Sequence, residues 1–321
     1  MKANEERNLE EEMGADLDPE TEQDIADLDD LEEEHPDYYH IDPNHLDDNI
    51  REGEARPRGI FKPITLPNRE AQIEEARMLD KMQKLVLAIG VNYAKRLVMF
   101  SRFSPCHKIP KPSPPLVMVH GGAGSGKSRV ISSIYNMMTD IFQKQGDDPS
   151  CPYVVLTSFT GAASANINGQ TLHSLFGFKF GTTFLSMPEK TRAEKQLLFR
   201  NLRCVIIDEI SMVSADPLYN LDMRLREITG RMSTDNGGLS VFCFGDLFQL
   251  QPPKARYVFE KPTNEMHGLT FTARNLWRLF KVVNLVENHR QGDDKTYGDM
   301  LNRIRIGIHT CLLYTSDAAD E

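Results

Sequence analysis

From Leu116 onward the chain alternates between short, nearly continuous apolar runs and longer stretches with helical spacing. The runs LVMVH (Leu116 to His120), YVVLTS (Tyr153 to Ser158), CVIID (Cys204 to Asp208), LSVFCFG (Leu239 to Gly245) and KVVNLV (Lys281 to Val286) predict five strands. A strand with one wet face alternates apolar and polar residues; these do not, so they are expected to be parallel strands covered on both faces. Strands separated by helices predict an α/β fold, which binds ligands at the carboxyl ends of its strands. Upstream, Glu70 to Val98 (EAQIEEARMLDKMQKLVLAIGVNYAKRLV) repeats its apolar positions at helical spacing, with Gly90 expected to split the helix in two. The Pro-rich stretch SRFSPCHKIPKPSPP reads as a linker from that helix to the first strand.

Charge divides the chain differently. Residues 1–50 hold 20 Asp and Glu against Lys2 and Arg7, a charge of −18 out of the total of −10, so the remaining 271 residues carry +8. Residues 1–57 contain too little apolar surface to offset the entropy of ordering and are expected to form a disordered acidic arm. A basic body suits a polyanionic partner. His35, His40 and His45 lie in that arm at a spacing that fits neither a helix face nor a metal-ligand loop, and they read as solvated. The five cysteines (Cys106, Cys151, Cys204, Cys243 and Cys311) form no CxxC pair, which points to reduced thiols in a cytosolic or nuclear protein. No apolar run approaches 18 residues, so no membrane span is expected, and the acidic N-terminus does not read as a secretory signal.

Candidate chemistry sits at the ends of the predicted strands. Directly after the first strand, the loop Gly121, Gly122, Ala123, Gly124, Ser125, Gly126, Lys127, Ser128 fits G-x-x-x-x-G-K-S and leads into a helix. Its glycines let backbone N–H groups converge on the phosphates of a nucleotide, to which the helix N-terminus adds partial positive charge. Lys127 is expected at the β and γ phosphates and Ser128 at Mg²⁺. CVIIDE closes another strand with two adjacent acids: Asp208 suits the Mg²⁺ shell, and Glu209 suits a general base for the attacking water. In VFCFGDLFQLQPP, Gln249 follows Gly245 and Asp246, where a neutral amide can bond a γ-phosphate oxygen or that water. A guanine-reading N-K-x-D tetrapeptide does not occur, which argues against a GTPase switch.

Five ordered blocks, GGAGSGKS, TSFTGAASANINGQTLHSLFGF, IIDEISMVS, GDLFQLQPP and LVENHRQ, resemble the Pif-one type of DNA helicase, in the RecD-like branch of superfamily one; the resemblance covers roughly residues 76–308. It implies a helical lead-in and linker over 58–115, a first RecA-like ATPase domain over 116–280 and the start of a second over 281–310. By position it implies that Gln83, in MLDKMQKLV, contacts adenine, although Asp80 stands where these helicases more often have asparagine; an exposed helix residue is the alternative. Arg290 in ENHRQ resembles the arginine that reaches across the domain cleft to the γ-phosphate. Thr160 and Gly161 would meet DNA phosphates, and His173 with Ser174 the sugar-phosphate backbone or a base, while Leu172, Phe176 and Phe178 read equally well as core.

The resemblance thus implies an ATP- and Mg²⁺-dependent DNA helicase moving 5′ to 3′, a monomer acting on single-stranded DNA and forked duplex. Roles in repair, recombination and telomere maintenance, and a nuclear or mitochondrial location, follow from it. The alternative is a motor-incomplete ATPase remnant that binds nucleic acid, of mobile-element origin. The final CLLYTSDAADE resembles a translated sequencing adapter, so the natural chain is expected to continue past Ile308 and the sequence as given to unwind poorly.

Overall fold

The computed structural model describes residues 65–103, 110–177, 184–249, 252, 257–260, 275–289, 300 and 303–308. The expected acidic arm, its three histidines, Phe178, Arg290 and the adapter-like tail lie outside the described residues. The chain divides between Arg56 and Pro57, and everything below concerns the second unit.

Two helices precede the sheet, α1 (Arg69–Arg77) and α2 (Lys81–Phe103). The break falls at residues 78–80 and not at Gly90, which corrects the sequence expectation. Asp80 starts the second helix through a reciprocal cap: its Oδ1 accepts the Gln83 N–H at 2.8 Å, and Gln83 Oε1 accepts the Asp80 N–H at 3.0 Å. Gly90 stays helical because it is a contact point. A Cβ there would stand 3.1 Å from Met138 Sδ and 3.5 Å from Phe242 Cζ, so the missing side chain lets α2 approach its neighbours closely.

The remaining elements are β1 (Leu116–Gly121), α3 (Lys127–Phe142), β2 (Val154–Ser158), α4 (Gly161–Asn166), β3 (Gln170–Thr171), α5 (Leu172–Phe176), α6 (Glu189–Leu198), β4 (Cys204–Asp208), α7 (Ala215–Thr229), β5 (Ser240–Gly245) and β6 (Lys281–Leu285). The strands form one parallel sheet in the order β3-β2-β4-β5-β1-β6. The five predicted strands are present with ends moved by a residue at most. The two-residue edge strand β3 is an addition that its polar sequence, Gln170–Thr171, does not announce.

Alternate residues of each strand point into two cores. On one face Met118, Val205, Ile207, Val241 and Cys243 pack with Leu172, Leu175 and Phe176 of α5 and Leu218, Leu221 and Leu225 of α7. On the other, Val117, Val119, Ile206, Phe242 and Phe244 meet Val86 and Leu87 of α2 and Val130, Ile134 and Met138 of α3. The core reading of Leu172 and Phe176 is the one observed. Cys204 and Cys243 are fully buried thiols.

The expected boundary at 280/281 does not match the sheet. β6 pairs in parallel with β1, Val117 opposite Lys281 through Gly121 opposite Leu285, so Lys281–Leu285 completes the first sheet and does not open a second domain. Val283 and Leu285 are buried against that sheet, which supplies the physical reason.

Candidate nucleotide site

All strands being parallel, their carboxyl ends share one edge, and the sequence motifs collect there. β1 leads into the P-loop, β4 ends at Asp208 with Glu209 next, β5 ends at Gly245 with Asp246 next, and the chain runs on from β6 to His289. β5 lies between β1 and β4 in the sheet, so Asp246 emerges between the lysine strand and the strand that carries the two acids.

The P-loop turns through left-handed backbone at Gly124 (φ 83°) and Gly126 (φ 77°), conformations that a Cβ disfavours, and Lys127 opens α3. Lys127 Nζ donates to the carbonyls of Gly121 (2.7 Å) and Gly122 (3.0 Å). Burial lowers its pKa, opposed by the nearby charges of Glu209, Asp246 and Asp208. Ser125 Oγ donates to Gly122 O at 2.9 Å, and Ser128 is exposed on the first turn of α3.

Asp208 is buried at the tip of β4, and burial raises its pKa from an ordinary 3.8 to about 6, opposed by the Glu209 N–H bond at 2.9 Å and by Lys127. Glu209 adopts left-handed backbone (φ 54°, ψ 48°), an uncommon state for a residue with a side chain. In register with Asp208, Ser158 on β2 buries a hydroxyl with no hydrogen-bond partner. A buried carboxylate held charged only by a backbone N–H and a nearby ammonium, beside an unpaired hydroxyl, is a donor set that fits a hard cation such as Mg²⁺.

Gln83 is buried beneath the P-loop, which corrects the exposed-helix alternative. Its Oε1 serves the α2 cap, its Nε2 donates to Ser125 O at 3.0 Å, and a Cβ on Gly126 would collide with that Nε2. Gln249 is exposed on the turn after β5, its N–H bonded to Asp246 O at 3.0 Å. Arg290 lies outside the described residues; its neighbour His289 donates its N–H to Gly124 O at 2.9 Å and contacts Asp80 Oδ2 at 2.8 Å.

Thr160 and Gly161 lie at the tip of β2. Thr160 Oγ1 caps α4 by accepting the Ala163 N–H at 3.2 Å, and the space above Gly161 is open for 4 Å around a virtual Cβ. His173 and Ser174 are farther out, on α5; the His173 ring meets Phe159 edge-on at 5.3 Å, and burial lowers its pKa. The structure therefore brings Lys127, Asp208 and Glu209 to the same carboxyl edge of the sheet, and sets Thr160, Gly161, His173 and Ser174 farther along that edge. A cavity of about 710 Å³ between Tyr135, Tyr153 and Gln170 shares no residue with either group.

Two members of the site were not foreseen as functional. His120, the last β1 residue before the P-loop, has a half-buried ring, and Arg305 pairs with Asp246 through two 2.6 Å bonds. Neither belongs to a recognisable spacing; Asp246 and Arg305 are 59 positions apart.

A glycine-rich loop between strand and helix, with two acids at the tip of a parallel strand one place removed, defines a P-loop nucleotide-binding fold of RecA-like α/β type. Within that class the match is specific: the PIF1-like helicase family model fits residues 106–310, and the chain belongs to that family. Among curated proteins it is 32% identical over 197 residues to the ATP-dependent DNA helicase RRM3 of Saccharomyces cerevisiae, covering 60% of this chain and 25% of that one. It is 32% identical over 197 residues to the ATP-dependent DNA helicase PIF1 of Candida albicans, covering 58% and 20%. The chain thus spans between a fifth and a quarter of the length of these curated relatives. Among solved structures, Pif1 helicase from Bacteroides in complex with ADP-AlF3 and ssDNA is 27% identical, covers 62% of this chain and 44% of that chain, and has a TM-score of 0.46.

Proposed function

We propose that the chain is the nucleotide-hydrolysing part of an ATP-dependent DNA helicase. The convergence of Lys127, Asp208 and Glu209 at the carboxyl edge of the sheet carries this reading. In it the P-loop N–H groups and Lys127 hold the β and γ phosphates, and Ser128 with Asp208 would hold Mg²⁺, which when bound supplies charge neutralisation to the phosphate oxygens. Glu209 orients a water and accepts its proton as the water oxygen bonds to the γ-phosphorus and the bond to the ADP oxygen breaks. Gln249 hydrogen-bonds the γ-phosphate or the attacking water, and Arg290 adds a guanidinium that offsets charge in the transition state. Gln83, whose Nε2 donates to Ser125 O under the P-loop, braces the loop that holds the nucleotide and is the residue proposed to contact adenine.

Single-stranded DNA is proposed to follow the edge formed by Thr160, Gly161, His173 and Ser174, with forked duplex as the substrate of unwinding. The relatives' names and the DNA-bound neighbour support this, as does the +8 charge of residues 51–321. Movement from 5′ to 3′, action as a monomer in the nucleus or mitochondria, and roles in repair, recombination and telomere maintenance complete the proposal. The test is DNA-stimulated ATP hydrolysis by the purified chain and its Lys127→Ala variant. The variant should fold with unchanged circular dichroism and lose turnover by at least about 100-fold, the scale of removing a preorganised charge from a transition state. Equal turnover in the two proteins would remove the site assignment.

A further inference from the structure

Arg305 lies on a helical turn at 303–305, and its guanidinium reaches the tip of β5. Nε donates to Asp246 Oδ2 and Nη2 to Asp246 Oδ1, both at 2.6 Å, the bidentate geometry that fixes position as well as charge. Nη2 lies 3.0 Å from His120 Nε2, and Cζ lies 5.1 Å from the centre of the Phe248 ring. Nη1 faces the P-loop: a Cβ built on Gly122 would meet it at 3.3 Å.

Everything Arg305 touches on β1 and β5 holds the turn that carries Gln249. Asp246 Oδ1 accepts the Phe248 N–H at 3.1 Å, the Asp246 carbonyl accepts the Gln249 N–H at 3.0 Å, and His120 Nδ1 lies 3.3 Å from the Leu247 N. A neutral imidazole accepts through one nitrogen only, so Arg305 and the Leu247 amide compete for His120. The turn's hydrogen bonding therefore depends on where the guanidinium stands. The Asp246 side chain is fully buried, and its two short bonds to Arg305 fix the two side chains relative to each other.

We infer that Arg305 is a positioning residue for the 246–249 turn, setting where Gln249 stands at the carboxyl end of β5 and hence how strongly the site prefers a nucleoside triphosphate to a diphosphate. The inference rests on the ATP reading above and adds a residue to it. A lysine at 305 keeps the charge but has no planar fork to span both carboxylate oxygens and the imidazole, so Arg305→Lys separates geometry from charge.

The experiment titrates the full chain, with Mg²⁺, against fluorescent ADP and a non-hydrolysable fluorescent ATP analogue, for wild type, Arg305→Lys, Gln249→Ala and the double variant. Wild type should prefer the triphosphate. Arg305→Lys and Gln249→Ala should each reduce that preference about tenfold, equivalent to about 1.4 kcal/mol. The double variant should lose no more than either single one, because both changes disable one device. An unchanged preference in Arg305→Lys, or losses that add in the double variant, overturns the inference while leaving the nucleotide site in place. So does a wild-type chain that binds both nucleotides equally. Failure of wild type to bind either one removes the ATP reading itself. Thermal melting accompanies each titration; if Arg305→Lys does not fold, Arg305→Gln, which keeps a planar amide donor, takes its place with the same expectation.

Discussion

Replacing Asp208 by asparagine should make the nucleotide-free protein more stable while disabling it. Burial raises this carboxyl from 3.8 to about 6. The unfolded chain releases the proton near 3.8 and the folded chain holds it until about 6, so between those values the folded state binds more protons and stability falls as pH rises. Above about pH 6 the whole cost of ionising the buried group is present, about 3 kcal/mol at 1.36 kcal/mol per tenfold change. Asparagine has the same shape and no charge, and its Oδ1 can still accept the Glu209 N–H that Asp208 accepts at 2.9 Å. Its new amide hydrogens are partly buried, which takes back about 1 kcal/mol or more. The net expectation is a gain of about 1–2 kcal/mol at pH 7.5, or about 2–8 °C in Tm for a folded body of this size. The gain should shrink to nothing toward pH 4, where both proteins are neutral at this position. Thermal unfolding by circular dichroism from pH 4 to 8, in EDTA and without nucleotide, reads both features. An Asp208→Asn protein no more stable than wild type at pH 7.5, or a gain that does not vary with pH, would refute the electrostatic account of the strand tip.

Two further outcomes test other parts of the structure. Gly126→Ala should weaken nucleotide binding by at least about tenfold, since the Cβ is strained at φ 77° and collides with the Gln83 amide that braces the loop; isothermal titration with ADP measures it. Glu227→Ala should cost about 3–5 kcal/mol in urea unfolding, because it leaves the buried Arg224 guanidinium, 2.6 Å from its partner and also bonded to the carbonyls of Gly177 and Leu185, without its carboxylate.

The local chemistry was legible because each piece is contiguous. Five apolar runs specify buried strands wherever they occur, the P-loop is one unbroken octapeptide, and Asp208 and Glu209 are adjacent, so a linear reading suffices for fold class and for the residues that would touch phosphate and metal. Boundaries were harder. Gly90 looks like a helix breaker in one dimension and is a contact point in three, where α2 crosses Met138 and Phe242. The true break needs the reciprocal Asp80–Gln83 cap, which a four-residue pattern only suggests. β6 reads as a new beginning because it follows a long connection, yet it closes the first sheet.

What the amino-acid sequence determined by itself was therefore the set of parts: strands, loop, acids and the family they resemble. Tertiary structure alone decided their neighbours. Strand order places β5 between β1 and β4, which brings Asp246 into the charge cluster, and the chain's return after β6 puts His289 on Gly124 and Arg305 on Asp246 and His120. Such pairings arise from the packing of elements dozens of residues apart, and no periodicity or spacing encodes them, because short-range sequence patterns report backbone geometry while charge partners are chosen by where distant segments finally meet.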